Sequence, residues 1–85
     1  MNVTLQTDIK STIRTFLQKR IGQDVSFNDG DDIFQLGLVN SLFALELVVF
    51  LENTFDIAVE NSDLNLNNFS TVDNLEGFIR NKKGI

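Results

Sequence analysis

Two of the residue types that most often do chemistry in small proteins are missing from this chain of 85 residues. It has no histidine and no cysteine. Their absence removes the usual general base, any Ser-His-Asp triad, a thiolate nucleophile and the common zinc sets. Carboxylates and hydroxyls are left. One acidic stretch, Asn28-Asp29-Gly30-Asp31-Asp32, invites a test for calcium. An EF-hand loop needs acidic ligands at alternating positions, Gly at the sixth and Glu at the twelfth. With Gly30 at the sixth position, Val25, Phe27 and Leu36 fall at the first, third and twelfth, and none carries an oxygen in its side chain. The frame fails, and a solvated turn is the better reading. Paired carboxylates such as Asp31 and Asp32 also give no acid–base dyad, because adjacent loop acids do not face each other across a cleft. No metal site and no catalytic residue are expected.

Ser41 is different. It lies in Leu36-Gly37-Leu38-Val39-Asn40-Ser41-Leu42, where an apolar periodic segment begins. A serine there is ordinarily a helix cap. Here Asn40 is the better cap, which puts the Ser41 hydroxyl on the first turn, exposed. Free backbone N–H groups and the helix dipole at that end favour an attached phosphate. With no histidine to activate it, the hydroxyl suits modification by a partner enzyme better than catalysis.

The elements that must position this serine are legible as helices. From about Leu5 to Ile21, the residues Leu5, Ile9, Ile13, Phe16, Leu17 and Ile21 recur at three- and four-residue steps. Thr7 or Asp8 supports the start, Lys19 and Arg20 suit the last turn, and Gly22 the stop. A long loop follows, about Gly22 to Asn40. Its Val25, Phe27, Ile33, Phe34, Leu36 and Leu38 should pack onto the core. The second helix begins at Asn40 or Ser41 and runs to about Phe55, with Ala44, Leu47, Val48, Leu51 and Phe55 on its core face. Its other side carries Leu42, Glu46, Val49 and Asn53, which reads as a docking strip beginning beside Ser41. A short turn is expected around Ser62 to Leu66. A last helix begins after Ser70 or Thr71 and runs to about Asn81, with Val72, Leu75, Phe78 and Ile79 inside. Strand signals are weak. The expected fold is all-α, a four-helix bundle of three longer helices and one short one with a long first loop, in a single domain over residues 1–85.

Charge narrows the partners. The net charge is −5, and no Lys or Arg occurs between residues 21 and 79. Such a segment repels nucleic acid and steers toward basic protein patches. The apolar fraction of 42% suits a folded globular chain. No apolar run is long enough for a membrane span, and the first ten residues lack the pattern of a secretory signal. A cytoplasmic monomer that binds neither nucleic acid nor membrane is expected.

With these residues in view, the sequence resembles the acyl and peptidyl carrier protein family. That family's signature is a Gly, a short spacer and Asp-Ser-Leu opening the second helix, and here it reads Gly37-Leu38-Val39-Asn40-Ser41-Leu42. Leu45-Glu46-Leu47-Val48, Leu51-Glu52 and Phe55-Asp56-Ile57 continue the likeness. Asp32-Ile33-Phe34-Gln35-Leu36-Gly37 upstream and Phe69-Ser70-Thr71-Val72-Asp73-Asn74-Leu75 downstream extend it over nearly the whole chain. The resemblance implies a carrier without catalysis of its own. Ser41 receives 4′-phosphopantetheine from coenzyme A through a phosphopantetheinyl transferase, and the thiol of the arm carries an acyl thioester. Asn40, Leu42, Glu46, Val49 and Asn53 are the residues that partners read, among them acyl-loading, modifying and condensing enzymes.

One departure stands out. The usual Asp before the serine is Asn40, which keeps the cap and removes a negative charge beside the phosphate. Phe43 and Phe50 also stand where polar residues are frequent, and extra packing against the long loop accounts for them. The run Leu38-Val39-Asn40-Ser41-Leu42-Phe43-Ala44-Leu45 is similar to free-standing carriers of methoxymalonyl or hydroxymalonyl extender units in bacterial polyketide and antibiotic biosynthesis. The alternatives are an aminoacyl or D-alanyl carrier and, from another class, an unmodified acidic helical adaptor docking through Leu42 and Val49.

Overall fold

A computed structural model describes residues 5–85, with side chains from residue 9 onward. Helix α1 is Leu5–Ile21, α2 is Phe43–Phe55, α3 is the single turn Leu66–Phe69, and α4 is Val72–Lys83. A 3-10 turn, Asn61–Asp63, precedes α3. The described residues form an all-helical bundle with three longer helices and one short one.

The core gathers one stripe from each long helix. Ile9, Ile13 and Leu17 of α1 meet Phe43, Leu47 and Leu51 of α2, and Val72, Leu75, Phe78 and Ile79 of α4. Burying a large aliphatic or aromatic side chain contributes roughly 1.5–3 kcal/mol, so this cluster dominates stability. The α1 and α4 stripes follow the helical spacing of the sequence. The side chains of Leu5, Thr7 and Asp8, expected to serve the first helix, lie outside the described residues. On α2 the stripe is rotated from the expected one. Phe43 is buried, whereas Ala44, Val48 and Phe55 are only half-buried. The cause is aromatic packing. Phe16 of α1 stacks on Phe50 with ring centroids 3.9 Å apart and on Phe43 at 5.8 Å, and this turns α2 toward α1. Phe43 and Phe50 therefore pack on Phe16 of α1, and Phe43 also belongs to the buried cluster that holds Phe27 and Ile33 of the loop.

That loop, residues 22–42, is pinned by its own apolar residues and by backbone bonds. Phe27 and Ile33 are buried, and Phe34, Leu38 and Val39 pack against the core. The Ile33 N–H donates to the Ser70 carbonyl at 2.9 Å, and the Asp73 N–H donates to the Asp29 carbonyl at 3.0 Å. Leu36, expected inside, is 57% exposed. It precedes Gly37, whose φ of +75° turns the chain outward before Leu38 and Val39 return to the core.

The short element also differs from expectation. Ser62 to Leu66 is not one turn but a 3-10 turn and then α3. Glu60 and Asp63 close the first with reciprocal capping bonds, and the Asn65 side chain caps the second. The last helix starts where expected, with Thr71 accepting from the Asn74 N–H at 2.9 Å. It runs to Lys83, two residues past the expected end, before Gly84 closes it at φ +73°.

Candidate attachment site at the start of helix α2

Three features place Ser41. The loop is tied to Ser70 and Asp73, Gly37 turns it, and Asn40 caps the helix that follows. The Asn40 Oδ1 accepts from the Leu42 N–H at 3.0 Å and the Phe43 N–H at 3.3 Å. The entry is tight: the Phe43, Ala44 and Leu45 amides donate to the carbonyls of Asn40, Ser41 and Leu42, each three residues back, at 3.0–3.2 Å. This 3-10 entry is why regular α2 begins at Phe43 although Asn40 is the cap. Ser41 then sits on the first turn, exposed, as its place beside the cap implied.

One expectation about this end needs correction. Free backbone N–H groups were expected here to favour a phosphate, but the Leu42, Phe43 and Ala44 amides already donate to Asn40 and Ser41. The helix dipole still favours negative charge there, but those three amides are engaged.

The strip read from the sequence is exposed throughout. Leu42 is 72% and Val49 56% exposed, and Glu46 and Asn53 are exposed as well. Helical spacing puts them on one side of α2. Two residues join them that were not assigned to the strip. Leu45 is 65% exposed, three residues on from Leu42 and four before Val49, so the periodicity already contained it. Arg20 had no such signal. Its guanidinium reaches from the last turn of α1 to Glu46, with N–O distances of 2.8 and 2.9 Å. Glu46 is thus an internal ion-pair partner as well as part of the exposed strip. Arg20 also lies 5.9 Å from the centroid of the Phe43 ring, within cation–π range. Asn40 and Leu42, the neighbours of Ser41 in the chain, line an open cleft of about 300 Å3 together with Arg20, Leu38, Val39, Phe43 and Glu46.

The acidic loop is used up by its own turns. The Asp31 carboxylate accepts from the Asn28 N–H at 2.7 Å, and Asp32 accepts from the Phe34 and Gln35 N–H groups at 3.0 and 2.9 Å. Asp29 pairs with Arg14 at 2.8 Å and with Lys10 at 3.5 Å.

An exposed hydroxyl on a capped helix start, with its chain neighbours lining a cleft, has the access that a covalent arm requires. A family profile described as the phosphopantetheine attachment site matches residues 11–79. The chain belongs to this family. It is therefore a phosphopantetheine carrier protein and not an enzyme, and its cofactor is a covalently attached 4′-phosphopantetheine held on a serine. The chain is similar to the D-alanyl carrier protein of Streptococcus mutans, 34% identical over 68 residues, covering 80% of this chain and 86% of the relative. The D-alanyl carrier protein of Leuconostoc mesenteroides is 36% identical over 64 residues, covering 75% and 82%. That of Streptococcus sanguinis is 32% identical over 68 residues, covering 80% and 86%. Carriers of this family are modified by phosphopantetheinyl transferases and serve biosynthetic enzymes. Family membership displaces the unmodified adaptor and the calcium module. The relatives favour the D-alanyl alternative over the extender-unit reading. No helix among the described residues is long and apolar enough to cross a membrane.

Proposed function

We propose that residues 1–85 act as one aminoacyl carrier domain of the D-alanyl type, with Ser41 as the attachment residue. The observation that carries the cargo is the likeness to D-alanyl carriers across four fifths of the chain. Ser41 is supported as the residue by its exposure at the α2 start, inside the matched segment. The Ser41 Oγ forms a bond to the phosphorus next to pantetheine in coenzyme A. The anhydride bond breaks, the adenosine bisphosphate leaves, and the transferase takes the serine proton. The chain supplies no base for this step and no thiol for the next, having neither histidine nor cysteine. The arm would supply the thiol on which an activating ligase loads the D-alanyl group. Partners approach over Leu42, Leu45, Val49 and Asn53, with the Asn40 cap and Glu46 at the edges. The carrier works as a monomer in the cytoplasm.

Intact-protein mass spectrometry tests both halves. Incubation with coenzyme A and a broad transferase adds one arm, and Ser41→Ala abolishes the gain. ATP, D-alanine and a D-alanine-activating ligase then add one residue, which hydroxylamine removes. A gain that survives Ser41→Ala refutes the site. Loading by a malonyl-type unit but not by D-alanine returns the cargo to the extender class.

A further inference from the structure

The cleft lined by the neighbours of Ser41 has a chemical profile that matches the inner end of the arm. Its lining is more polar than apolar: Leu38, Val39, Leu42 and Phe43 give it one apolar wall, and Asn40 and the Arg20–Glu46 ion pair supply the polar part. The backbone donors that usually meet a phosphate at a helix start are taken here, because Asn40 and Ser41 accept from the Leu42, Phe43 and Ala44 amides. A charge pair for a phosphodiester on Ser41 would then come from a side chain. No Lys or Arg occurs between residues 21 and 79, so within this chain such a side chain belongs to α1 or to the end of α4. Arg20, at the end of α1, is the cationic side chain lining this cleft. Asn40 is neutral, so Glu46 is the carboxylate that shares the cleft with it.

We propose that Arg20 and the cleft form a seat for the inner arm, with the guanidinium pairing with the phosphodiester and Leu38, Val39 and Phe43 receiving the geminal methyl groups of the pantoyl unit. The inference rests on Ser41 as the attachment residue. Arg20 has the donors for it, since a guanidinium offers five N–H groups and two carboxylate contacts leave others for a second anion. Glu46, which lines the same cleft, holds the guanidinium at 2.8 and 2.9 Å. Arg20 is a positioning residue with no part in any reaction.

The test uses isotopically labelled protein converted to the holo form with coenzyme A, with mass spectrometry verifying the gain. In the holo protein, NOEs run from the geminal methyls to Val39, Leu38 or Phe43, and the Arg20 Nε–H resonance moves from its apo position. The 31P resonance of the phosphodiester shifts in Arg20→Gln and shifts less in Arg20→Lys, which keeps the charge. A holo protein with no such NOEs and an unmoved Arg20 resonance overturns the seat while leaving Ser41 as the attachment residue. A protein that gains no arm overturns both, and the mass measurement separates the two failures. Both outcomes can be read in the unsubstituted protein, so the inference does not depend on a variant that folds.

Discussion

Asn40 does at the residue scale what the neighbouring aspartate of the family signature would do as a cap, without its charge. Its Oδ1 satisfies two amides of the α2 entry. Asn40→Ala should cost about 1 kcal/mol, as lost side-chain caps do, read as a lower denaturation midpoint in urea. Asn40→Asp keeps the acceptor and adds a charge that the helix dipole favours, so the apo protein should gain about 0.3–1 kcal/mol in the same measurement. Glu46 poses a separate question, because it belongs both to the strip and to an ion pair. An exposed pair such as Arg20–Glu46 contributes about 0–1 kcal/mol. Glu46→Lys should therefore leave the melting temperature nearly unchanged while weakening loading by partner enzymes. A large fall in melting temperature would make the face structural. The Asn40 cap, the exposure of Ser41 and the exposed side of α2 were legible in the sequence, because each depends on spacing within a few residues. Arg20 was not, because it meets Glu46 across a separation of 26 residues that no local pattern encodes.

Helices α1 and α4 announce themselves because each has a long apolar stripe with a clear start and stop. α2 does not, since apolar residues crowd it on nearly every side: Phe43, Leu45, Leu47, Val48, Val49, Phe50 and Leu51. Its periodicity fixes a helix but not its rotation. The stack of Phe16 with Phe50 and Phe43 fixes the rotation, and stacking between helices is invisible in sequence. The short α3 was misplaced for a different reason. Four residues are too few for a period, and caps on Glu60 and Asn65 decide its bounds. Phe43 tests the rotation. It is 5% exposed, so Phe43→Ala should cost about 3–5 kcal/mol, whereas Leu45→Ala on the exposed side should cost under about 0.5 kcal/mol, both by urea denaturation. Equal costs would mean that α2 is turned differently. Asp56 ends α2 in the left-handed region at φ +57°, where an acid also opposes the helix dipole. Asp56→Asn should stabilise the fold by about 0.3–1 kcal/mol, seen as a higher melting temperature.

The charge segregation of the chain acquires a folding role in the whole molecule. The cations at its two ends fold back onto the acidic middle. Lys10 meets Asp29, Asp73 and Glu76, Arg14 meets Asp29, Arg20 meets Glu46, and Lys82 meets Asp63. Part of the negative middle that reads as a lure for basic partners is thus neutralised from within. Two of these links shift titrations. The hydrogen bond that Lys10 donates to Asp73, with nearby carboxylates, holds the Lys10 ammonium above its usual pKa. The Lys82 ammonium at 2.6 Å, together with the Glu60 N–H, holds Asp63 below the ordinary aspartate value of 3.8, and Asp63 in turn raises Lys82. A lowered acid stabilises the fold fully above its unfolded value and loses that contribution as pH falls past 3.8 toward its own lower value. A raised lysine contributes fully below 10.5 and loses its part as pH rises through its higher value. Acidification also relieves repulsion among the unpaired carboxylates, so the bare profile mixes two opposing effects. Lys82→Met separates them, because it deletes the pairing with Asp63 and keeps an unbranched stem, although it also removes the ammonium that lies 5.9 Å from the centroid of the Phe78 ring. The variant should melt below the parent at neutral pH. The gap should close as pH falls through the aspartate range, where the parent alone loses an ion pair. A gap constant with pH would mean that Lys82 acts through its contact with Phe78 and not through Asp63.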